Sequence, residues 1–296
     1  MLTRGHPVSL VAWFTGLDPA AESFTGVVDL PAAPPLVGQV RHLMGDRSAR
    51  FTFLLLRGDG EDNHGLSRLL DESAAHAGEW GACNLLAEIP EHLTLPVSLR
   101  RNGYMVYANQ VIWQVPLAPA QGAQQPDLWH PVGSQDELMV RSFYQALVPP
   151  LVQSAEAWQA DRLSGYIHQQ DGEVLGFVEA HAGPQGIFLQ PVLHPAVSNP
   201  EALLADLLTR LPGRHNRPVF LAVRSYQAGL DDPLEKLGCQ PKQRSVLMVK
   251  HLALTQRVLG YHERLIVTEK PCPEPTASMM SARVPVDEPL SPGRLN

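Results

Sequence analysis

One phrase is written twice in this chain, and it limits the folds open to it more than any other feature. Residues 99–117 read LRRNGYMVYANQVIWQVPL and residues 234–252 read LEKLGCQPKQRSVLMVKHL. Each runs from a leucine-led amphipathic turn, through a glycine, into a strand-like segment, and the two lie 135 residues apart. Sliding residues 51–117 onto 186–252 without a gap gives twelve identities in sixty-seven positions, among them Phe53/Phe188, Leu69/Leu204, Gly78/Gly213, Leu86/Leu221, Ala87/Ala222, Leu99/Leu234 and Gly103/Gly238. Leucine-rich segments match easily by chance, so the order of elements carries more of the inference than the identities do.

That order is readable on both sides. In the second half, SGYIHQQ (164–170) and VLGFVEAHA (174–182) are joined by Asp171-Gly172, a hairpin signal. GIFLQPVLH (186–194) follows as a third strand, and NPEALLADLLTRL (199–211) as a helix with Asn199 at its N-cap, Pro200 at its first position and Gly213 beyond its end. PVFLAV (218–223) is a continuous apolar run, as a strand covered on both faces requires. A short helix near 230–237 and the strand SVLMVKHL (245–252) close the series. Ahead of it, Ser134 and Glu137 form a capping box for the helix DELMVRSFYQALV, which Pro149-Pro150 then break. The first half echoes this with a strand at 51–56, a helix at 66–77 closed by Gly78, a buried strand at 84–89 and the 99–117 phrase. Nothing before residue 51 matches the capped helix; SLVAWF (9–14) and PLVGQVRHL (35–43) read as strands instead.

The sequence therefore predicts an α/β (α+β) protein of two tandem mixed-sheet units, the N-terminal one incomplete. The expected divisions are an N-terminal unit over 1–117, a linker over 118–127 rich in Ala, Gln and Pro, a C-terminal unit over 128–252, and a helix and disordered tail over 253–296. With 296 residues both units are long enough to hold a core. A net charge of −7 with scattered Arg and Lys argues against nucleic acid as a partner. Three cysteines without a CxxC pair, and twelve histidines without ligand spacing, predict no metal and suit a reducing, cytoplasmic setting. The N-terminal apolar run is too short for an export signal or a membrane span.

This element order resembles the GNAT superfamily of acyl-CoA-dependent N-acetyltransferases, in a tandem arrangement with degenerate motifs. LEKLGC (234–239) and LRRNGY (99–104) resemble the helix–Gly–aromatic phrase that closes that fold. The resemblance implies acetyl-CoA as co-substrate and a small-molecule or protein amine as acceptor. It implies a pyrophosphate loop before the helix at 199, where Val197, Ser198 and Asn199 would present amides to phosphate. It implies a splayed strand whose Val192 and Leu193 would pair with the pantetheine arm. Pro191 fits either a bulge there or an edge strand. The chain departs from the family pattern in both places where the motif is sharpest. The loop VLHPAVSNPEALL has no glycine or arginine, and the first unit's LRGDGEDNHGLSRLL places Asp59, Glu61 and Asp62 among its glycines. The family's general-acid tyrosine falls on Leu99 and Leu234, which donate no proton. Tyr226 would substitute if its ring turned into the cleft; the plainer reading is a surface tyrosine. Glu179 is the candidate general base, or a solvent-facing hairpin residue. Two functions follow: an N-acetyltransferase acting on an amine, active mainly in the second unit, or a catalytically inactive relative that binds a small molecule or a protein.

Overall fold

A computed structural model of the chain describes residues 21–30, 33–55, 63–116, 128–158, 163–183, 186–211 and 217–252. The strands SLVAWF at 9–14, the linker at 118–127, Gly213 and the helix and tail beyond 252 lie outside them. The strands are β1 (Ala21–Leu30), β2 (Ala33–Leu43), β3 (Ser48–Leu55), β4 (Asn84–Pro90), β5 (Met105–Gln114), β6 (His130–Pro131), β7 (Gly165–Gln170), β8 (Glu173–Gly183), β9 (Gly186–Leu193), β10 (Val219–Arg224) and β11 (Gln240–His251). The helices are α1 (Asn63–Glu79), α2 (Leu95–Arg101), α3 (Glu137–Leu147), α4 (Pro150–Ala155), α5 (Pro200–Arg210) and α6 (Asp231–Lys236).

All eleven strands form one sheet, in the order β1-β2-β3-β4-β11-β5-β10-β9-β8-β7-β6. The repeated phrase leads to the expectation that each copy closes its own small sheet. The structure corrects this. β11 of the second half lies between β4 and β5, both from the first half, and β5 lies between β11 and β10. The two closing strands are thus exchanged: β4 gains its neighbour from the far end of the chain, and β10 gains its neighbour from the first half. A strand's own pattern of side chains specifies which face it buries, not which strand it joins.

The phrase itself has one local cause in both places. Gly103 and Gly238 end α2 and α6 with φ of 82° and 76°, a left-handed conformation that glycine adopts without a Cβ clash. In each copy the next residue's N–H closes on the leucine five back: Tyr104 to Leu99 O at 3.1 Å, Cys239 to Leu234 O at 2.9 Å. Both leucines are wholly buried, which is what those positions are for.

Elsewhere the local reading holds with some changes. Asp171 and Gly172 both take positive φ, as a two-residue hairpin turn requires. Asn199 caps α5, its Oδ1 accepting from the Ala202 N–H at 3.0 Å. The cap at α3 differs from the predicted one: a short 3-10 turn over Ser134–Asp136 precedes the helix, and the Asp136 carboxylate accepts from the Gly133 N–H at 2.8 Å. Helix α1 runs past Gly78 to Glu79, and the left-handed residue is Gly81. Strand β1 was not foreseen.

Three hydrophobic clusters sort the layers. α1 packs with β1–β4 around Leu66, Leu69, Leu70 and Leu85. α5 packs with β9 and β10 around Leu204, Leu207, Leu189 and Leu221. A third cluster joins α3 and α4, through Val140, Phe143 and Val152, to Leu86, Tyr107, Phe177 and Leu247 of the sheet. α4 is fixed to the first half by polar bonds: Ser48 Oγ donates to Ala155 O at 2.7 Å, and Asn84 Nδ2 donates to Ser154 O at 2.9 Å.

Candidate functional site

The sheet contains two parallel contacts, and both fail in the same way. β3 pairs with β4 only at Ser48↔Asn84, Ala49↔Leu85 and Arg50↔Leu86, although both strands continue beyond. β9 pairs with β10 only at Ile187↔Val219, Phe188↔Phe220 and Leu189↔Leu221 before they part. Each half therefore has a V-shaped gap. Pro191 lies just past the last β9–β10 pair. β9 keeps an unbroken register with β8 from Gly176↔Leu193 to Gly183↔Gly186, so the proline marks neither a bulge nor a sheet edge.

The second-half gap is closed by a side chain. The Leu193 N–H donates to Gln227 Oε1 at 3.0 Å, and Gln227 Nε2 donates to Leu193 O at 3.3 Å. A carboxamide thus occupies both polar groups of the Leu193 backbone that the family resemblance reserves for a ligand's amides. Val192, beside it, is buried and paired with Phe177. At the neighbouring loop the Val197 N–H donates to His194 O at 3.0 Å. Pro200 has no N–H, the Ala202 N–H is taken by Asn199, and Glu201 adds a negative charge to the first turn. Of the expected amides, Ser198 and Asn199 sit in an exposed turn. This end of α5 is poorly equipped for phosphate.

The first-half gap opens instead onto a cavity of about 520 Å³. Phe51 and Thr52 on one side of the gap, and Ala87 and Glu88 on the other, line it. So do Tyr107 and Gln110 of β5, Gln190 of β9, Arg224 of β10, and Glu179 and His181 of β8. β3 and β8 meet at this cavity although five strands separate them in the sheet, as the cumulative twist of a wide sheet permits. α3 and the segment after α4 contribute Tyr144, Glu156 and Trp158.

Glu156 is the hub of the polar wall. Tyr107 Oη donates to Glu156 Oε1 at 2.6 Å, and Arg224 Nη2 lies 2.9 Å from both carboxylate oxygens. Arg224 also donates to Gln190 Oε1 at 3.2 Å, and Arg50 Nη1 stands 3.5 Å from Glu156. The wall is graded in access: the Arg224 side chain is 3% exposed and that of Glu156 10%, whereas Arg50 is 40% exposed. Burial alone would lower the Arg224 guanidinium, but Glu156, with Tyr107 and Tyr226, outweighs it and holds the group above its ordinary range. The same balance, led among the charges by Glu156, raises Arg50. Burial, reinforced by Glu156, pushes the Tyr107 and Tyr144 hydroxyls well above theirs.

Of the two proposed catalytic residues, only one faces this cavity. Glu179 lines it, with Oε1 2.6 Å from His181 Nε2. Tyr226 is not among the lining residues. It packs into the cluster under α3, and its hydroxyl is buried without a hydrogen-bond partner among the described residues. Burial pushes it up to about 12, against the opposing charge of Arg224 and with a smaller rise from Glu156. The first-half loop at 56–62 lies outside the described residues. Sequence reasoning missed Arg50, Glu156, Gln190, His181 and Arg224. The one available signal was an arginine following six residues of apolar strand at 218–223, an unusual place for a charge to be buried.

No family model matches the sequence, and neither does any curated protein. Solved structures do match. One is a GCN5-related N-acetyltransferase from Kribbella flavida, at 15% identity and a TM-score of 0.50, with 81% of this chain and 93% of that one covered. Another is a functionally unknown conserved protein from Staphylococcus epidermidis, at 10% identity and a TM-score of 0.54, covering 77% and 95%. At these identities the likeness is one of fold, shared with that N-acetyltransferase and with that functionally unknown protein.

Proposed function

We propose that the protein is an N-acyltransferase that takes an acyl group, acetyl in the simplest case, from acyl-CoA and places it on a primary amine. The observation that carries this reading is that the first-half gap opens directly onto the cavity holding Glu179 and His181. The two halves are read as copies of one unit, 1–117 and 128–252. The working gap is assigned to the first, not the second as the sequence favoured, because Gln227 and Asn199 fill the corresponding places in the second. The residues fit to hold the donor are the β3 edge beyond Arg50, from Phe51 to Leu55, and the Asn63 end of α1. Bound acyl-CoA would supply a thioester carbonyl.

The remaining work falls to side chains of the cavity. Glu179 holds the acceptor's ammonium group and, with His181, takes its proton to free the amine for attack. Tyr107 is committed to Glu156, which leaves Tyr144 as the neutral hydroxyl on the wall able to protonate the departing sulfur. Arg224, Glu156 and Gln190 form a fixed floor that keeps these groups in place.

Thermal unfolding with and without acetyl-CoA tests the reading. At a hundred times its dissociation constant the donor adds about 2.7 kcal/mol of stability. Glu179→Gln lowers the transfer rate by about a hundredfold while leaving donor affinity unchanged. Absence of stabilisation by any acyl-CoA would sink the proposal. A second reading, binding without transfer, is favoured by the filled second gap and by the two wholly buried leucines, Leu99 and Leu234, where the family has its acid. It predicts ligand binding in the cavity with no acyl-CoA effect.

A further inference from the structure

The formal charges of the cavity wall balance, four arginines against four carboxylates among the described lining residues, but its hydrogen bonds do not. Arg224 and Trp158 both line the cavity, and both keep buried N–H groups that no described residue accepts. Arg224 spends only Nη2, on the two oxygens of Glu156 and on Gln190. Its Nε and Nη1 have no partner among the described residues, although the side chain is only 3% exposed. Trp158 Nε1 is in the same state. The indole is held by other rings, its centroid 5.2 Å from that of Tyr144 and 6.0 Å from that of Phe177. The surplus consists of donors alone, since neither a guanidinium nor an indole N–H has a lone pair to offer. Buried donors left unpaired are costly, and folds keep few of them without a use.

Glu156 fixes where these donors stand. Its carboxylate lies 2.9 Å from Arg224 and 3.5 Å from Arg50, the last residue of β3 before the first-half gap opens. Trp158 follows Glu156 by two residues and packs against the cluster that contains Leu86, the last paired residue of β4. The side chains with unpaired donors are thus tied to both strands that form the gap.

We propose that Arg224 and Trp158 hold the carbonyl oxygen of the acyl donor at the inner end of that gap, through the nitrogens that have no other partner. A carbonyl oxygen brings two lone pairs and no charge, which suits a wall whose charges already cancel. In the transfer, the acceptor nitrogen bonds to the carbonyl carbon as the π pair moves onto that oxygen. The pair returns as the carbon–sulfur bond breaks and sulfur leaves with its electrons and the Tyr144 proton. The nitrogen sheds one proton to Glu179 and His181 before attack, and a second after it that replaces the one Tyr144 gave. Donors fixed beforehand and unpaired in the resting protein act most strongly when that oxygen carries charge. The proposal rests on the reading of the first-half gap as the donor site, and it adds two side chains to the chemistry there.

The test pairs acetyl-CoA with S-ethyl-CoA, a thioether that lacks the carbonyl oxygen, each titrated calorimetrically into the full chain. Wild type binds acetyl-CoA at least about tenfold more tightly, the worth of hydrogen bonds to donors that otherwise have none. Trp158→Phe keeps a ring and removes the N–H. It cuts that preference at least about threefold and leaves S-ethyl-CoA affinity within about twofold of wild type. Arg224→Lys keeps a charge for Glu156, removes the unpaired nitrogens and has the same effect, so either variant decides if the other fails to fold. Infrared difference spectra with carbonyl-labelled acetyl-CoA give a reading that packing alone does not move. The bound C=O stretch falls below that of the free donor, and falls less in Trp158→Phe. Equal affinity for the two probes in wild type, or an unchanged preference in either folded variant, overturns the proposal and leaves the donor site standing. Absence of binding by both probes defeats the transferase reading as well.

Discussion

Arg224 and Glu156, 68 residues apart in sequence, meet at 2.9 Å with both carboxylate oxygens on one guanidinium nitrogen. The arginine ends β10 and the glutamate follows α4, while Tyr107 of β5 and Arg50 of β3 close on the same carboxylate. One buried anion thus ties both halves of the chain to the floor of one cavity.

Removing that anion is correspondingly costly. Glu156→Gln keeps the shape but leaves Arg224 buried beside a neutral amide, which destabilises the fold by about 3 kcal/mol. Urea unfolding measures it, and a loss below about 1 kcal/mol would mean that water already serves the guanidinium.

Gly103→Ala and Gly238→Ala form a matched pair. A Cβ has room at each site, the nearest atoms lying 3.9 Å away on Lys250 and on Pro116. The cost is then the left-handed backbone alone, about 1–2 kcal/mol in both variants. Unequal losses would show that the two turns are not held in the same way.

Gln227→Ala strips the Leu193 backbone of its two side-chain bonds and lowers stability by about 1–2 kcal/mol. If the donor uses the first-half gap, acetyl-CoA affinity stays within about twofold of wild type. A large gain in affinity on this substitution would place the donor in the second half.

Tyr226 offers a pH signature. Its hydroxyl is held at about 12 against an ordinary 10.0, so the folded state keeps a proton that the unfolded chain releases. This stabilisation is complete below pH 10 and is lost as pH rises through 10 toward 12. Tyr226→Phe flattens that limb of the stability curve, changes stability little at pH 7, and leaves transfer activity intact because the ring lies outside the cavity lining. A hundredfold fall in rate would restore Tyr226 to the catalytic set.

Local chemistry made much of this chain readable. Asp171-Gly172, the Asn199 cap and the apolar run of β10 announce themselves because each is decided by a few adjacent residues. The cavity was less legible for the opposite reason. Glu179 could be singled out as a carboxylate on a strand, but Arg50, which lines the same cavity, belongs to a strand with five others between them in the sheet. Glu156 sits just after a six-residue helix, with no periodicity to mark it as buried. Gln227, in the loop-like SYQAGLDD, carries no hint that its amide completes a distant backbone. The exchange of β5 and β11 was equally hidden, since alternation identifies a strand and says nothing of its neighbours.

That exchange has a consequence for how the protein comes to be made. β4 leaves the ribosome long before β11, the strand that will flank it, about 150 residues later, between Pro90 and Gln240. At ordinary elongation rates this is roughly 8–30 s during which a nascent apolar edge has no mate. Contacts so remote in sequence also slow the search for the native state. The newborn first half must therefore wait, or be sheltered, until the last strand of the described sheet has been translated.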